Sequence, residues 1–315
     1  MIAESTVEMF RTRLAGRVET DVPLARFTTY RLGGPARLFV EPARGDDIEV
    51  LATILSELPE PLPILVVGRG SNLVISDAGW PGLAVRLGAA FSFVEDTETG
   101  LRAGGVTALP LLANRAARRG LAGVEFTIAI PGSVGGAVRM NAGAHGREVK
   151  DCLVTATIHD LGGGGSTSRT VEDLEMSYRH SNLSDDHLVL DATFALEPAR
   201  AAEVKERMES YRAHRAATQP GAVQNAGSVF RNPPGDHAGR LVEATGLKGL
   251  QIGGASVSEL HANFFIAGDG ASAQDVFDLV GEVRTRVATA QGVDLVPEIR
   301  FVGAFEAHAT HMRPR

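Results

Sequence analysis

The stretch AIPGSVGGAVRMNAGAHG, from Ala129 to Gly146, holds five glycines and a single charged residue, Arg139. Backbone with so few side chains can approach another group very closely. A chain that keeps this stretch in its interior must therefore build turns around it or set a ligand against it. A second such segment is VVGRGSNLVISDAGWPG, where Gly68, Gly70, Ser71 and Asn72 directly follow an apolar strand pattern. Successive N–H groups in a turn of this kind form an anion-binding concavity, to which Ser71 and Asn72 add side-chain donors. Two phosphate motifs are excluded. GRGSNL lacks the third glycine of the dinucleotide fingerprint and runs into β-like sequence instead of a helix, and no Gly-Lys-Ser/Thr loop occurs. On composition alone, structural turns and ligand binding remain equally good explanations.

The surroundings read as mixed α and β. Val7, Phe10 and Leu14 predict a first helix, and ARLFVEP a strand. DDIEVLATILSELPEP predicts a helix capped by Asp46 or Asp47, and ILVVG a strand parallel to the first. GLAVRL, LVTATIHD, SRTVEDL and LVLDATFAL predict further strands, two of them antiparallel across LGGGGSTS. LPLLANRAARRG predicts a helix ended by Gly120. The charged helix AAEVKERMESYRAHRAATQP opens a third region. A short helix stopped by Gly246 and a longer one capped by Ser272 follow, the latter with Val276, Val280, Val283 and Val287 inward. HANFFIA and PEIRFVG read as strands.

The net charge of −7 argues against non-specific nucleic-acid binding, so an anionic ligand needs a local site. The single cysteine, Cys152, excludes an intrachain disulfide, fits a reducing compartment, and reads as a small core residue. The first residues do not read as a signal peptide, and no apolar run is long enough to span a membrane.

Seven segments in order, RFTTYRLGGPA, VVGRGSNLVIS, GVEFTIAIPGSVGGAVRMNAGAHG, SYRHSNL, NAGSVFRNPPG, GLKGLQIGGASVSELHANFFIA and LVPEIRFVG, resemble the UDP-N-acetylenolpyruvoylglucosamine reductase family from Arg26 to Gly303. The resemblance implies an α+β chain. Its parts are a two-subdomain FAD-binding fold of the vanillyl-alcohol-oxidase (PCMH) type and a C-terminal α/β substrate-binding domain. The implied divisions are 1–88, 89–200 and 201–304, with 305–315 as a loose tail. It implies FAD held without a covalent bond, NADPH as co-substrate, and a UDP-sugar enolpyruvyl ether as substrate. The implied activity is a cytoplasmic reduction in peptidoglycan precursor synthesis by a monomer, with no metal and no nucleic-acid or membrane partner. Flavin contacts carried over are Tyr30, Arg31, Gly68, Gly70, Ser71, Asn72, Leu73, Pro131, Gly132, Ser133, Gly136, Ala137, Asn141 and Gly143.

The resemblance also supplies three catalytic positions, Arg179, Ser228 and Glu298. Arg179 is the cation for a developing enolate. Glu298 is protonated or shares a proton there, because an ionised carboxylate beside that anion would oppose the reaction. Ser228 gives the completing proton. Each also has an ordinary explanation: a surface ion pair for Arg179, a turn for Ser228, and an edge-strand charge for Glu298. Arg215, Gln219, Arg231, Asn232 and Lys248 are the substrate-binding candidates, and His261 reads as structural. Only Tyr211 lies between Arg179 and Ser228, inside a predicted helix, so the chain resembles the shorter subclass without a tyrosine-bearing loop insertion. His145 stands where relatives often have Tyr. Two other classes stay open: a flavin oxidase on the same fold, which would need no NADPH, and a non-catalytic nucleotide-sugar binding protein.

Overall fold

The computed structural model describes residues 2–221 and 223–306. Its packing forms two units, each assembled from separated stretches. The first takes the chain up to Val22, Arg37–Arg69 and Pro81–Arg215; the second takes Pro23–Ala36, Gly70–Trp80 and the chain from Ala216 onward. One boundary passes between Arg69 and Gly70, inside the glycine-rich segment VVGRGSNLVISDAGWPG. Residues 307–315 of the expected tail lie outside the described residues.

In the first unit, helices α1 (Glu4–Arg13) and α2 (Gly45–Glu57) cover a four-stranded sheet. Its strands, in spatial order, are Arg17–Pro23, Pro35–Glu41, Trp80–Val85 and Ile64–Val66. Val7 and Phe10 of α1 and Ile48, Leu51 and Ile54 of α2 share one core with Leu38, Val40, Leu83 and Val85. The expected strand–helix–strand unit is present, but Ile64–Val66 pairs in parallel with Trp80–Val85, which occupies the place beside Pro35–Glu41. Neither Asp46 nor Asp47 is the N-cap of α2; Arg44 holds that position. The buried Asp47 carboxylate instead accepts from Ala43 N at 2.7 Å and Ala15 N at 3.1 Å, tying the helix start to the chain after α1.

A five-stranded antiparallel sheet completes the scaffold, in the order Gly165–Arg169, Leu153–Asp160, His187–Ala195, Gly100–Gly104, Val94–Asp96. The glycine run closes the hairpin between its first two strands, with Asp160 opposite Gly165. The strand expected over SRTVEDL ends early, at Arg169. Asp173 accepts from Thr170 N at 2.9 Å and from its hydroxyl at 3.1 Å, and this local turn competes with strand pairing. Helix α3 (Leu109–Arg119) stops at Gly120, which adopts φ 64°. Helices α4 (Val134–Arg139) and α5 (Ala201–Thr218) follow. Residues 201–215 of α5 belong to this first unit, contrary to the expectation that the helix opens the C-terminal region.

The second unit is built on helices α6 (Ala238–Ala244) and α7 (Ala273–Gln291). A three-stranded sheet in the order Gln251–Ile252, Ala255–Val257, Phe265–Ala267 packs with them. Ser272 caps α7 and exchanges hydrogen bonds with Asp275 in a capping box. Val276, Val280, Val283 and Val287 are fully buried as their spacing predicts, each stabilising the fold by about 1.5–3 kcal/mol over exposure. Arg300–Val302 runs parallel to Leu73–Ile75, with Arg300 opposite Leu73. Among the described residues no helix is long and apolar enough to cross a membrane.

Candidate active site

Ser133 opens α4: its hydroxyl accepts from Gly136 N at 3.3 Å, while Val134 N and Gly135 N donate to Thr107 O and Gly105 O. These bonds pin the start of the helix to the loop that follows the strand Gly100–Gly104. Gly136 is exposed, and a Cβ built on it would meet only Ser133 Oγ, at 3.4 Å. The protein's own packing therefore does not require glycine there, whereas a closely seated ligand would. A Cβ on Gly68 would lie 2.8 Å from the same Ser133 Oγ, so this fold brings Gly68 beside α4. The N–H groups of Gly68 and Arg69 meet no acceptor among the described residues. Bare backbone, unpaired N–H donors and a serine at a helix start suit a flat cofactor with a diphosphate. FAD fits these residues.

Arg179 sits beside the other end of the glycine-rich stretch. It occupies a tight turn in which Ser177 and His180 exchange backbone hydrogen bonds, and it adopts φ 55°. Its Nη2 donates to Gly143 O at 3.0 Å, and its Nη1 lies 3.6 Å from Glu148 Oε1. Gly143 and Glu148 are opposite each other in the hairpin formed by Gly143–Ala144 and Arg147–Glu148. A Cβ on Gly143 would come 2.6 Å from Arg147 O and 3.1 Å from Arg179 Nη1, so this glycine is required by the packing around the arginine. Asn141 is fully buried behind the hairpin. Its amide donates to Glu148 Oε2 at 3.0 Å and Ser177 O at 2.8 Å, and its oxygen accepts from Lys150 N at 3.0 Å. Arg31, Asn141, His145 and Arg179 are four of the six described non-glycine residues with positive φ, and such conformations gather at functional sites.

In the second unit, residues 228–231 run between two other segments. Ser228 bridges Phe264 and Phe230 bridges Pro297; Glu298 N donates to Val229 O at 2.7 Å, and Arg231 N to Val296 O at 2.9 Å. This pairing places Ser228 and Glu298 on neighbouring strands. The Ser228 hydroxyl makes no hydrogen bond to another described residue. The backbone carbonyl of Glu298 accepts from Asn72 Nδ2 at 3.0 Å, and Arg300 N donates to Asn72 O at 2.9 Å. Asn72 thus anchors the segment bearing the glutamate. Gly70 has φ 59°, and a side chain there would strike Phe27 O, so its glycine is explained by the turn alone.

Tyr30 and Asn141 have no accessible surface and cannot line a flavin site as expected. The Tyr30 hydroxyl donates to Phe265 O at 3.0 Å in the core of the second unit, and burial pushes its pKa well up. Asn141 supports the hairpin from behind, and Tyr30 belongs to the core of the second unit. The substrate candidates divide. Gln219 Oε1 and Arg231 Nε are buried without a partner among the described residues, as polar atoms awaiting a ligand would be. Lys248 pairs with Glu243 at 2.6 Å, and Asn232 Oδ1 accepts from Ala238 N at 3.0 Å at the start of α6. The guanidinium of Arg215 donates to Ala129 O, and burial lowers its pKa. His261 is structural: its Nδ1 accepts from Asn263 N at 3.2 Å. The Cys152 thiol is pushed up to about 12 by burial, which excludes a nucleophile. Glu148 was not legible as a site residue, because only the hairpin register brings it to Arg179.

Residues 36–168 match the profile described as an FAD binding domain, and residues 219–302 that of the UDP-N-acetylenolpyruvoylglucosamine reductase C-terminal domain. The UDP-N-acetylenolpyruvoylglucosamine reductase of Parvibaculum lavamentivorans is 42% identical, the match covering 96% of this chain and 97% of the relative. That of Acidiphilium cryptum is 44% identical, over 91% and 92% respectively. The crystal structure of the Thermus caldophilus enzyme, 35% identical, superposes with a TM-score of 0.78 over 91% of this chain and all of that one. The α+β architecture is thus an FAD-binding fold followed by a C-terminal domain, and the chain belongs to the UDP-N-acetylenolpyruvoylglucosamine reductase family.

Proposed function

We propose that this chain reduces UDP-N-acetylglucosamine enolpyruvate to UDP-N-acetylmuramate with NADPH, Arg179, Ser228 and Glu298 serving the chemistry. FAD, when bound, supplies the relay that takes hydride from the nicotinamide and passes it to the vinyl carbon. Hydride addition at that carbon leaves negative charge on its neighbour and the attached carboxylate. Arg179 stabilises this charge; it stays cationic, and the hairpin at Gly143 and Glu148 fixes its direction. Ser228 gives the proton that completes the reduction; its hydroxyl has no competing bond to another described residue. Glu298, protonated or sharing a proton, lies beside the developing anion and helps to neutralise it. Gly68, Pro131, Gly132, Ser133, Gly136 and Ala137 seat the cofactor by backbone. Gln219 and Arg231 hold the sugar nucleotide through their unpaired buried atoms. Residues 1–88 and 89–200 serve the flavin, and the C-terminal region beyond α5 the substrate.

The observation that carries this reading is the anchoring of Arg179 by the glycine-rich hairpin. The test is anaerobic reduction of the flavin by NADPH, followed by addition of the enolpyruvyl sugar nucleotide. Substrate-driven return of the oxidised flavin spectrum is expected. A reduced flavin that reacts with oxygen but not with the sugar nucleotide would refute the assignment in favour of an oxidase.

A further inference from the structure

We propose that one face of α5 is a brace for the glycine-rich segment, and that Tyr211 is a positioning residue acting on Arg179 through His145. Arg207, Tyr211 and Arg215 are spaced by four residues and so share one face of the helix. Each meets a different point of the segment. Arg207 Nη1 donates to the buried Glu125 at 2.9 Å, and Glu125 in turn accepts from Gly123 N at 2.6 Å. Arg215 donates to Ala129 O, just before the bare backbone begins. The Tyr211 ring stacks on His145 with centroids 3.9 Å apart and planes 10° from parallel, and His214 meets the same imidazole edge-on at 5.5 Å.

His145 and Gly146 form the tip of the hairpin, with φ 53° and 74°. A histidine there is strained unless something holds it. The stack does so, and the base of this hairpin presents Gly143 O and Glu148 to Arg179. The route runs from the Tyr211 ring to the His145 ring, along two short paired strands, to the guanidinium. The tyrosine hydroxyl takes no part in it.

The inference rests on the catalytic reading of Arg179. Its test compares Tyr211→Leu, Tyr211→Phe, His145→Ala, the Leu/Ala double variant and Arg179→Ala in the FAD-loaded protein. Tyr211→Leu keeps apolar volume against Met208 and Ile128 while removing the flat ring. It is expected to slow substrate-driven flavin reoxidation about tenfold, less than the ~100-fold of a full 1 Å misplacement because the paired strands still hold Gly143 and Glu148. FAD content and flavin reduction by NADPH stay as in the parent. His145→Ala and the double variant fall by the same factor, and Tyr211→Phe keeps the parent rate. Independently of turnover, the ring-current shift of the His145 proton resonance persists in Tyr211→Phe and disappears in Tyr211→Leu. A parent rate in Tyr211→Leu, a Tyr211→Phe as slow as Tyr211→Leu, or multiplying losses in the double variant would overturn the brace. An inactive Arg179→Ala beside a normal Tyr211→Leu removes the brace alone. A normal Arg179→Ala removes the role of the arginine, and the brace's route with it.

Discussion

Gly143→Ala tests the arginine site most directly, because the added methyl enters a space whose walls are known. It would stand 2.6 Å from Arg147 O, 2.9 Å from Glu148 Cγ and 3.1 Å from Arg179 Nη1. Carbon atoms at rest lie about 3.5–4.0 Å apart, so the Glu148 side chain must retreat by at least ~0.6 Å and the guanidinium must move with it. Overpacking of this kind costs about 1–3 kcal/mol, which urea denaturation will read as a lower midpoint at unchanged slope. Arg179 then points away from the charge it serves. Misplacement on the scale of 1 Å costs on the order of 100-fold, so single-turnover reoxidation by substrate should slow by roughly that factor. NADPH-driven reduction of the flavin and the flavin content should change little, because the methyl points at the arginine side of the hairpin. A variant that loses stability yet reoxidises within twofold of the parent would refute the claim that this hairpin aims Arg179.

Other outcomes follow from the same geometry. Ser228→Ala should retain FAD and be reduced by NADPH, but its reoxidation by substrate should fall by about 100- to 10,000-fold in stopped flow. Gly136→Val should leave the apo fold nearly as stable, since only Ser133 Oγ is near, while absorbance shows loss of bound FAD. Ser272→Ala removes the cap of α7 and should lower stability by about 1 kcal/mol in urea melts, with activity per folded molecule intact. Burial would raise the pKa of Asp275, but hydrogen bonds from Ser272 N, Gly254 N and the Ser272 hydroxyl outweigh it and hold the group below its ordinary 3.8. Its contribution is therefore present above pH 3.8 and lost as pH falls through the lower folded value, and acid melts of Asp275→Asn should lack that component.

Local pattern sufficed wherever neighbours in sequence are neighbours in space. The Ser272 cap, the valine face of α7 and the hairpin over the glycine run were all readable, because helix and strand periodicity and turn chemistry decide them. The glycine-rich segments announced themselves by composition. What stayed hidden depends on pairing over long separations. Nothing near Tyr30 marks it for the core of the second unit, since the partner that satisfies its hydroxyl is Phe265. The allegiance of α5 could not be read either: its 207–211–215 face looks like any charged helix surface until Glu125, His145 and Ala129 lie against it. Glu148 carries no motif at all.

The interleaving of the two units has a consequence during synthesis. Leu73–Ile75 leaves the ribosome early, yet its parallel partner, Arg300–Val302, is among the last strands made. At 5–20 residues per second, the open edge waits on the order of tens of seconds. Tyr30 and Val74 wait as long for the helices that enclose them. Cutting the chain near residue 216 would strip the C-terminal piece of part of its own interior, so nascent-chain protection, rather than folding in halves, is what this topology demands.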